Sequence, residues 1–244
     1  MEVELPVTIQ RQPDYTTCGP TALHAVYHYW GDTITLDKVI AETPKLPGGG
    51  TLGVHLTVHA LQRGYEASTW ACNVRHLDPT WFQKPTDIVA KLKARAAAKG
   101  LSDDPRYGPA LKAVEQYVAL GGTYHWGDLS PALLAKVLAE GSPLLTGVNG
   151  TYLYQCSRET EKGLDDVAGD PFGHFLVLCG YSDKDESVAI SDPLKDNPLH
   201  NSKYYRTSVY RFLGSLFLGV GSDDGNLMRI RPKDWQARLR SKKA

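Results

Sequence analysis

No run of 18 apolar residues occurs in these 244 residues, so no membrane-spanning helix is predicted. The opening stretch MEVELPVTIQ has neither a basic n-region nor an apolar h-region. No secretory leader is therefore predicted, and the cytoplasm is the expected location. Cysteine is scarce, with four residues at positions 18, 72, 156 and 179 and no C-x-x-C pair. Such wide spacing, without a leader, predicts free thiols rather than a disulfide framework. The same scarcity argues against metal. Cys72 and His76, even joined by Cys156 or Cys179, do not make a zinc spacing, and the helix stretch His24–His28 lacks the glutamate of a zincin. GGGTLG at 48–53 lacks the lysine of a phosphate loop. No cofactor is predicted. An excess of one charge is absent too: 27 basic and 27 acidic residues cancel. Extended nucleic-acid binding rests on many cationic phosphate contacts, so that class is excluded.

The 42% hydrophobic and 22% charged composition is that of a globular chain, long enough to bury a core without staples. Its first half reads helical. GPTALHAVYHYWG carries Pro20 near its start and Gly31 just past its end, the asymmetry of a helix, with Ala22, Leu23, Val26, Tyr29 and Trp30 at helical spacing. Further helices are predicted in TLDKVIAET, after a Thr51 N-cap, after a Thr86 N-cap with Gly100 as C′, in PALKAVEQYVALGG, and after Ser130 with Pro131 at N1 and Gly141 at C′.

Later segments read as strands. SPLLTGVNGTYLY and GHFLVLCGY are short apolar runs, SVAISDP follows the polar turn SDKDE as a hairpin partner, and GNLMRIRP closes the set after one more helix in SVYRFLGSLFLG. Helices first and strands later predict an α+β fold in one domain, 1–232. A helical lobe covers about 1–141 and an antiparallel-sheet lobe about 142–232. Residues 233–244 are read as a basic, solvated, partly frayed tail; RIRPKDWQARLRSKKA holds seven basic residues and one acidic.

The informative stretch is QRQPDYTTCGPTALHAVYHYWG. The thiolate, not the thiol, is the nucleophile, and a free thiol is mostly protonated at neutral pH. Cys18 stands at a predicted helix start, where first-turn N–H groups favour a negative sulfur. Gly19 leaves room above it, and Pro20 presets the helical φ. Gln12, six residues earlier, can bring an amide donor back to the sulfur and join the Cys18 N–H as an oxyanion pair. His24 and His28 lie on the same helix, one and two turns away, too far to serve as the base. His174 opens the strand HFLVLCGY, and a turn centred near residue 184 brings residue 192 or 194 opposite it. Asp192, also even-numbered, then shares its face and can fix the imidazole tautomer. Cys72, Cys156 and Cys179 are read as packing residues.

QPDYTTCGPTAL, GGGTLG before a helix, LAEGSPLLT before a strand, GHFLVLCGY and AISDP together resemble the papain-like cysteine peptidases of family 39, which process bacteriocin leaders. The resemblance runs from about Val7 to Pro232. It implies a two-lobe papain-like fold with Cys18 as nucleophile, His174 as base, Asp192 as orienting acid and Gln12 as oxyanion donor, acting on a peptide or protein substrate. Residues 78–122 and the charged loop before His174 are insertions relative to a minimal domain of that type, the second a lid or specificity loop. No Walker motif accompanies them. The same thioester chemistry would serve an acyltransferase or a glutamine deamidase. Two other classes are a peptide-binding module with a dead site, which has no need of all four residues, and a redox sensor, which wants a resolving cysteine near Cys18.

Overall fold

The computed structural model describes residues 1–74, 76–101, 104, 107–219 and 226–243. In chain order its elements are β1 (Glu2–Glu4), α1 (Cys18–Tyr29), α2 (Leu36–Glu42), α3 (Gly53–Gln62), β2 (Tyr65–Ala71), a 3-10 turn (Pro79–Phe82), α4 (Ile88–Lys99), α5 (Tyr107–Ala119), β3 (Thr123–His125), α6 (Pro131–Ala139), β4 (Leu144–Asn149), α7 (Gly150–Tyr154), β5 (Glu159–Thr160), β6 (Gly163–Leu164), β7 (Gly173–Ser182), β8 (Ser187–Ser191), β9 (Tyr204–Ser208), α8 (Val209–Phe217), β10 (Asn226–Pro232) and α9 (Trp235–Lys243). The fold is α+β, with a sheet ordered β3-β2-β10-β4-β7-β8-β9 and β1 also paired to β7. Every pair in it is antiparallel except β2–β3.

Strand β7 shows why the sheet is covered on both faces. Phe175 and Val177 join the core with α1 and α3, through Leu23, Val26, Leu56 and Ala60. Leu176 and Leu178 join the other core with α6, α7 and α8, through Leu134, Leu153 and Phe212. The period of two thus distributes one apolar run between two helical layers. A third, small core lies at the end of β2, where Leu77 and Leu92 pack with Ala71.

The hairpin of β7 and β8 carries a register shift at Cys179. Gly180 pairs with Ala189, Tyr181 with Val188 and Ser182 with Ser187, even numbers against odd. Past the shift Leu178 pairs with Ile190 and Val177 with Ser191, like parity with like. Cys179 is the extra residue of a bulge. Without it, His174 and Asp192 would fall on opposite faces of the sheet. The bulge is braced from outside, since Leu5 N–H donates to the Cys179 carbonyl at 2.7 Å.

Several local expectations change. Strands β1, β2 and β3 come from the half read as helical. In β2, Tyr65, Ala67 and Ala71 are buried in alternation, but the pattern is diluted by small and polar residues. Asp87, not Thr86, caps α4, its carboxylate accepting from Ala90 N–H. Thr51 does not cap α3; its hydroxyl donates to the Pro44 carbonyl. Ser130 caps α6 as read. The basic tail is not frayed: residues 235–243 form α9, where Arg238 donates to the Trp30 carbonyl and Leu239 packs near Gly141. Ala244 lies outside the described residues.

A Cβ on Gly180 would meet Ala189 Cβ and the Val3 carbonyl oxygen, each at 2.8 Å. Gly180→Ala is expected to cost about 1–3 kcal/mol in urea unfolding. Adding Ala189→Gly should recover only part, because the backbone contact persists. A Gly180→Ala chain as stable as the parent would contradict the tight approach of β1 to β7.

Candidate active site

Three elements converge on one imidazole. His174 is the second residue of β7, paired with Val148 of β4. Its Nε2 donates to Asp192 Oδ1 at 2.8 Å, which leaves Nδ1 for the other side. The Cys18 sulfur lies within interacting reach of the ring and favours its charged form. Cys18 is the first residue of α1, 8% exposed. No side chain caps that helix and no acidic residue lies in its first turn, so its N-terminal dipole faces the sulfur unopposed.

Asp192 follows directly on β8 and has no exposed surface. Oδ1 accepts from His174 and from Leu194 N–H at 2.8 Å. Oδ2 accepts from the Tyr154 and Tyr205 hydroxyls, both at 2.7 Å. Burial works to raise this carboxyl, but the His174 charge and the donors from His174, Tyr154 and Tyr205 outweigh it, and it lies below the usual carboxylate range. Burial likewise works against a charged His174, but Asp192 and the Cys18 sulfur outweigh it and raise the ring above its usual value. Burial, then Asp192, pushes the two phenols upward, so both remain protonated donors.

Gln12 is buried and lies beside the start of α1. Its Nε2 donates to the Asp14 carbonyl at 2.9 Å, and the Thr17 hydroxyl donates to that same carbonyl at 3.2 Å. The amide thus shares its acceptor with Thr17, the residue just before Cys18, and one of its two N–H donors is engaged. Its Oε1 is buried without a partner. Asp14 organises this turn, its Oδ1 accepting from Thr16 N–H at 2.7 Å and from the Thr16 hydroxyl at 2.8 Å. The Gln12 N–H donates to the Pro193 carbonyl at 3.0 Å, so the loop before Cys18 is fastened to the loop after Asp192.

The other candidates lie elsewhere. His24 Nε2 meets the Ile34 carbonyl and His28 Nδ1 meets Thr8. Cys72 donates to the Gly127 carbonyl, and among the described residues no group of three or more His, Cys, Asp or Glu side chains is placed to hold a metal. Cys179 is buried at the bulge. Tyr154 is buried, and its hydroxyl supports Asp192. Neither Tyr154 nor Tyr205 was legible as a partner of Asp192, since a tyrosine in an apolar run reads as packing. The loop before β7 holds the short β5–β6 pair, and Glu159 and Asp170 exchange both backbone hydrogen bonds. Burial raises Glu159, opposed by the charge on His174, so this hairpin stands within electrostatic reach of the ring.

The model of the Peptidase_C39 like family matches residues 4–215. Among solved structures, a C39-like peptidase candidate from Bacillus anthracis is 16% identical with a TM-score of 0.53, covering 96% of this chain and 98% of its own. A double glycine motif protease from an AMS/PCAT transporter, solved with its leader peptide, is 13% identical with a TM-score of 0.48, covering 95% of each chain. The peptidase domain of Streptococcus ComA, a bifunctional ABC transporter, is 14% identical with a TM-score of 0.43, covering 93% of this chain and 99% of its own. The first likeness shows a shared fold. No curated protein matches the chain.

The coupled shifts predict a pH dependence of stability. His174 titrates higher in the folded state than its ordinary 6.5, so its contribution is complete below that pH and is lost as pH rises through the folded value. Asp192 titrates lower than its ordinary 3.8, so its contribution is present above that pH and is lost as pH falls through the folded value. The gap in unfolding free energy between the parent and His174→Gln should therefore narrow by about 1 kcal/mol or more between about pH 6 and pH 9. A gap that stays level would mean that folding leaves the titration of the ring unshifted.

Proposed function

Since this chain belongs to the Peptidase_C39 like family and is by that membership a cysteine peptidase, we propose that Cys18 is its nucleophile, His174 its base and acid, Asp192 the group that orients His174, and Gln12 an oxyanion donor. The reading rests above all on one observation. A buried imidazole donates through Nε2 to Asp192 at 2.8 Å and has the Cys18 sulfur within interacting reach.

The reaction is acyl transfer through a thioester. His174 takes the Cys18 proton, and the sulfur attacks the carbonyl carbon of a peptide or isopeptide bond. The negative charge that develops on oxygen is met by the Cys18 N–H and by the second N–H of Gln12. One such donor contributes about 3 kcal/mol to lowering the barrier. Collapse breaks the C–N bond as His174 protonates the leaving amine. Water, deprotonated by His174, then attacks the thioester and frees Cys18. The hairpin before β7 supports a role in substrate choice, because it borders His174 through Glu159. The cytoplasm stays the proposed location, in keeping with four free cysteines.

Turnover of a fluorogenic peptide library tests these roles. Cys18→Ala should abolish cleavage, and a trapped acyl-enzyme should carry its added mass on the Cys18 peptide. Gln12→Ala should lower kcat about 10²-fold with a smaller change in KM. Asp192→Asn should lower it by up to about 10⁴-fold. Cleavage that survives Cys18→Ala would refute the assignment. Release of acyl-amine product in preference to acid, when an amine is supplied, would make the enzyme a transferase instead.

A further inference from the structure

We infer that Tyr154 and Tyr205 are positioning residues for the reaction: their hydroxyls share Oδ2 of Asp192, fix the plane of its carboxylate, and moderate the charge it presents to His174. The inference rests on the assignment of His174 and Asp192 made above.

The geometry is specific. A carboxylate bound only at Oδ1 can swing about its Cβ–Cγ bond and carry the imidazole with it. Here both oxygens are engaged. Oδ1 takes His174 Nε2 and Leu194 N–H, and Oδ2 takes two phenols at 2.7 Å each. The four donors come from β7, α7, β9 and the loop after β8, so no single element moves the carboxylate alone. Short hydrogen bonds to an ionised oxygen withdraw part of its charge. Two phenols therefore stabilise the ion, yet hold back its pull on the imidazolium. His174 must give its proton to the leaving amine, and a bare buried carboxylate would hold that proton more strongly.

Both tyrosines are built into place. Tyr154 is fully buried at the end of α7, its ring 6.0 Å from the His174 ring and stacked on Phe172. The corner that delivers it is tight, since a Cβ on Gly150 would lie 2.2 Å from the Phe172 ring. Tyr205 lies on β9 with His200 stacked on it at 4.2 Å. The other titratable or charged groups that face this cluster are the Cys18 sulfur from α1, Glu159 from β5, and His200, which itself feels Asp192 and Arg211. None of them donates to Oδ2 in place of a phenol.

The test uses Tyr154→Phe, Tyr205→Phe and the double variant, which keep the ring and remove only the hydroxyl. The titration of the His174 ring is followed by NMR in full-length protein, with Cys18→Ala in each background so that no activity is required. The titration midpoint should rise by about half a pH unit or more in each single variant, and further in the double. In the active background the alkaline limb of kcat should move up in parallel, with kcat falling about two- to tenfold and KM little changed. A merely structural role would lower Tm in all three variants and leave both the midpoint and the limb in place, and that result would overturn the inference. An inactive parent whose His174 midpoint still rises in the variants would instead fault the catalytic assignment and leave the cage standing.

Discussion

A carboxylate with no surface in water is costly unless donors surround it, and Asp192 meets that demand with four. Much of the fold serves to deliver them. The strand β7 supplies His174, the end of α7 supplies Tyr154, the edge strand β9 supplies Tyr205, and the turn after Asp192 supplies the Leu194 N–H. Removing one donor leaves the charge less compensated, so the elements that carry them are held to one arrangement. The imidazole is oriented as a consequence, with Nε2 committed to Asp192 and the Cys18 sulfur within interacting reach of the ring.

The segment before α1 is fastened to the same cluster. Ser191 donates to the Val7 carbonyl, Lys203 Nζ donates to the Ile9 carbonyl at 2.7 Å, Ile9 N–H donates to the Tyr204 hydroxyl, and Gln12 N–H donates to the Pro193 carbonyl. These contacts bind residues 7–12 along the strands that flank Asp192. The start of α1 is therefore placed relative to the His174–Asp192 pair by hydrogen bonds between the backbone of residues 7–12 and residues near Asp192. Sulfur, imidazole and carboxylate come from positions 18, 174 and 192, yet the chain between them is tied together close to the site rather than only through the distant core.

Those positions were legible because each carries a local signal. Pro20 and Gly31 frame a helix with Cys18 at its start, and the polar turn SDKDE announces the hairpin. The shared parity of His174 and Asp192 holds in the structure for a reason that a symmetric turn does not supply. The hairpin pairs even with odd numbers near its tip, and the bulge at Cys179 restores like parity farther down. Cys179 reads as packing in a sequence and is buried here, yet its place in the register is what brings the pair onto one face. The phenols were hidden because long-range hydrogen bonds leave no periodic trace. Strand β2 was hidden because small and polar residues blur its alternation. Helix α9 was hidden because its charges suggest solvent, whereas Arg238 and Leu239 dock on α1 and on the turn after α6.

The central claim, proposed above, is that Cys18 is a nucleophile activated by His174, which Asp192 holds in place. Its most direct test is the rate of iodoacetamide labelling of Cys18 against pH, read by peptide mass spectrometry, in the parent and in His174→Ala. The account predicts rapid labelling well below pH 7 in the parent and its loss in the variant. Slow labelling in both proteins that rises only near about pH 8.5, as for an ordinary thiol, would contradict it.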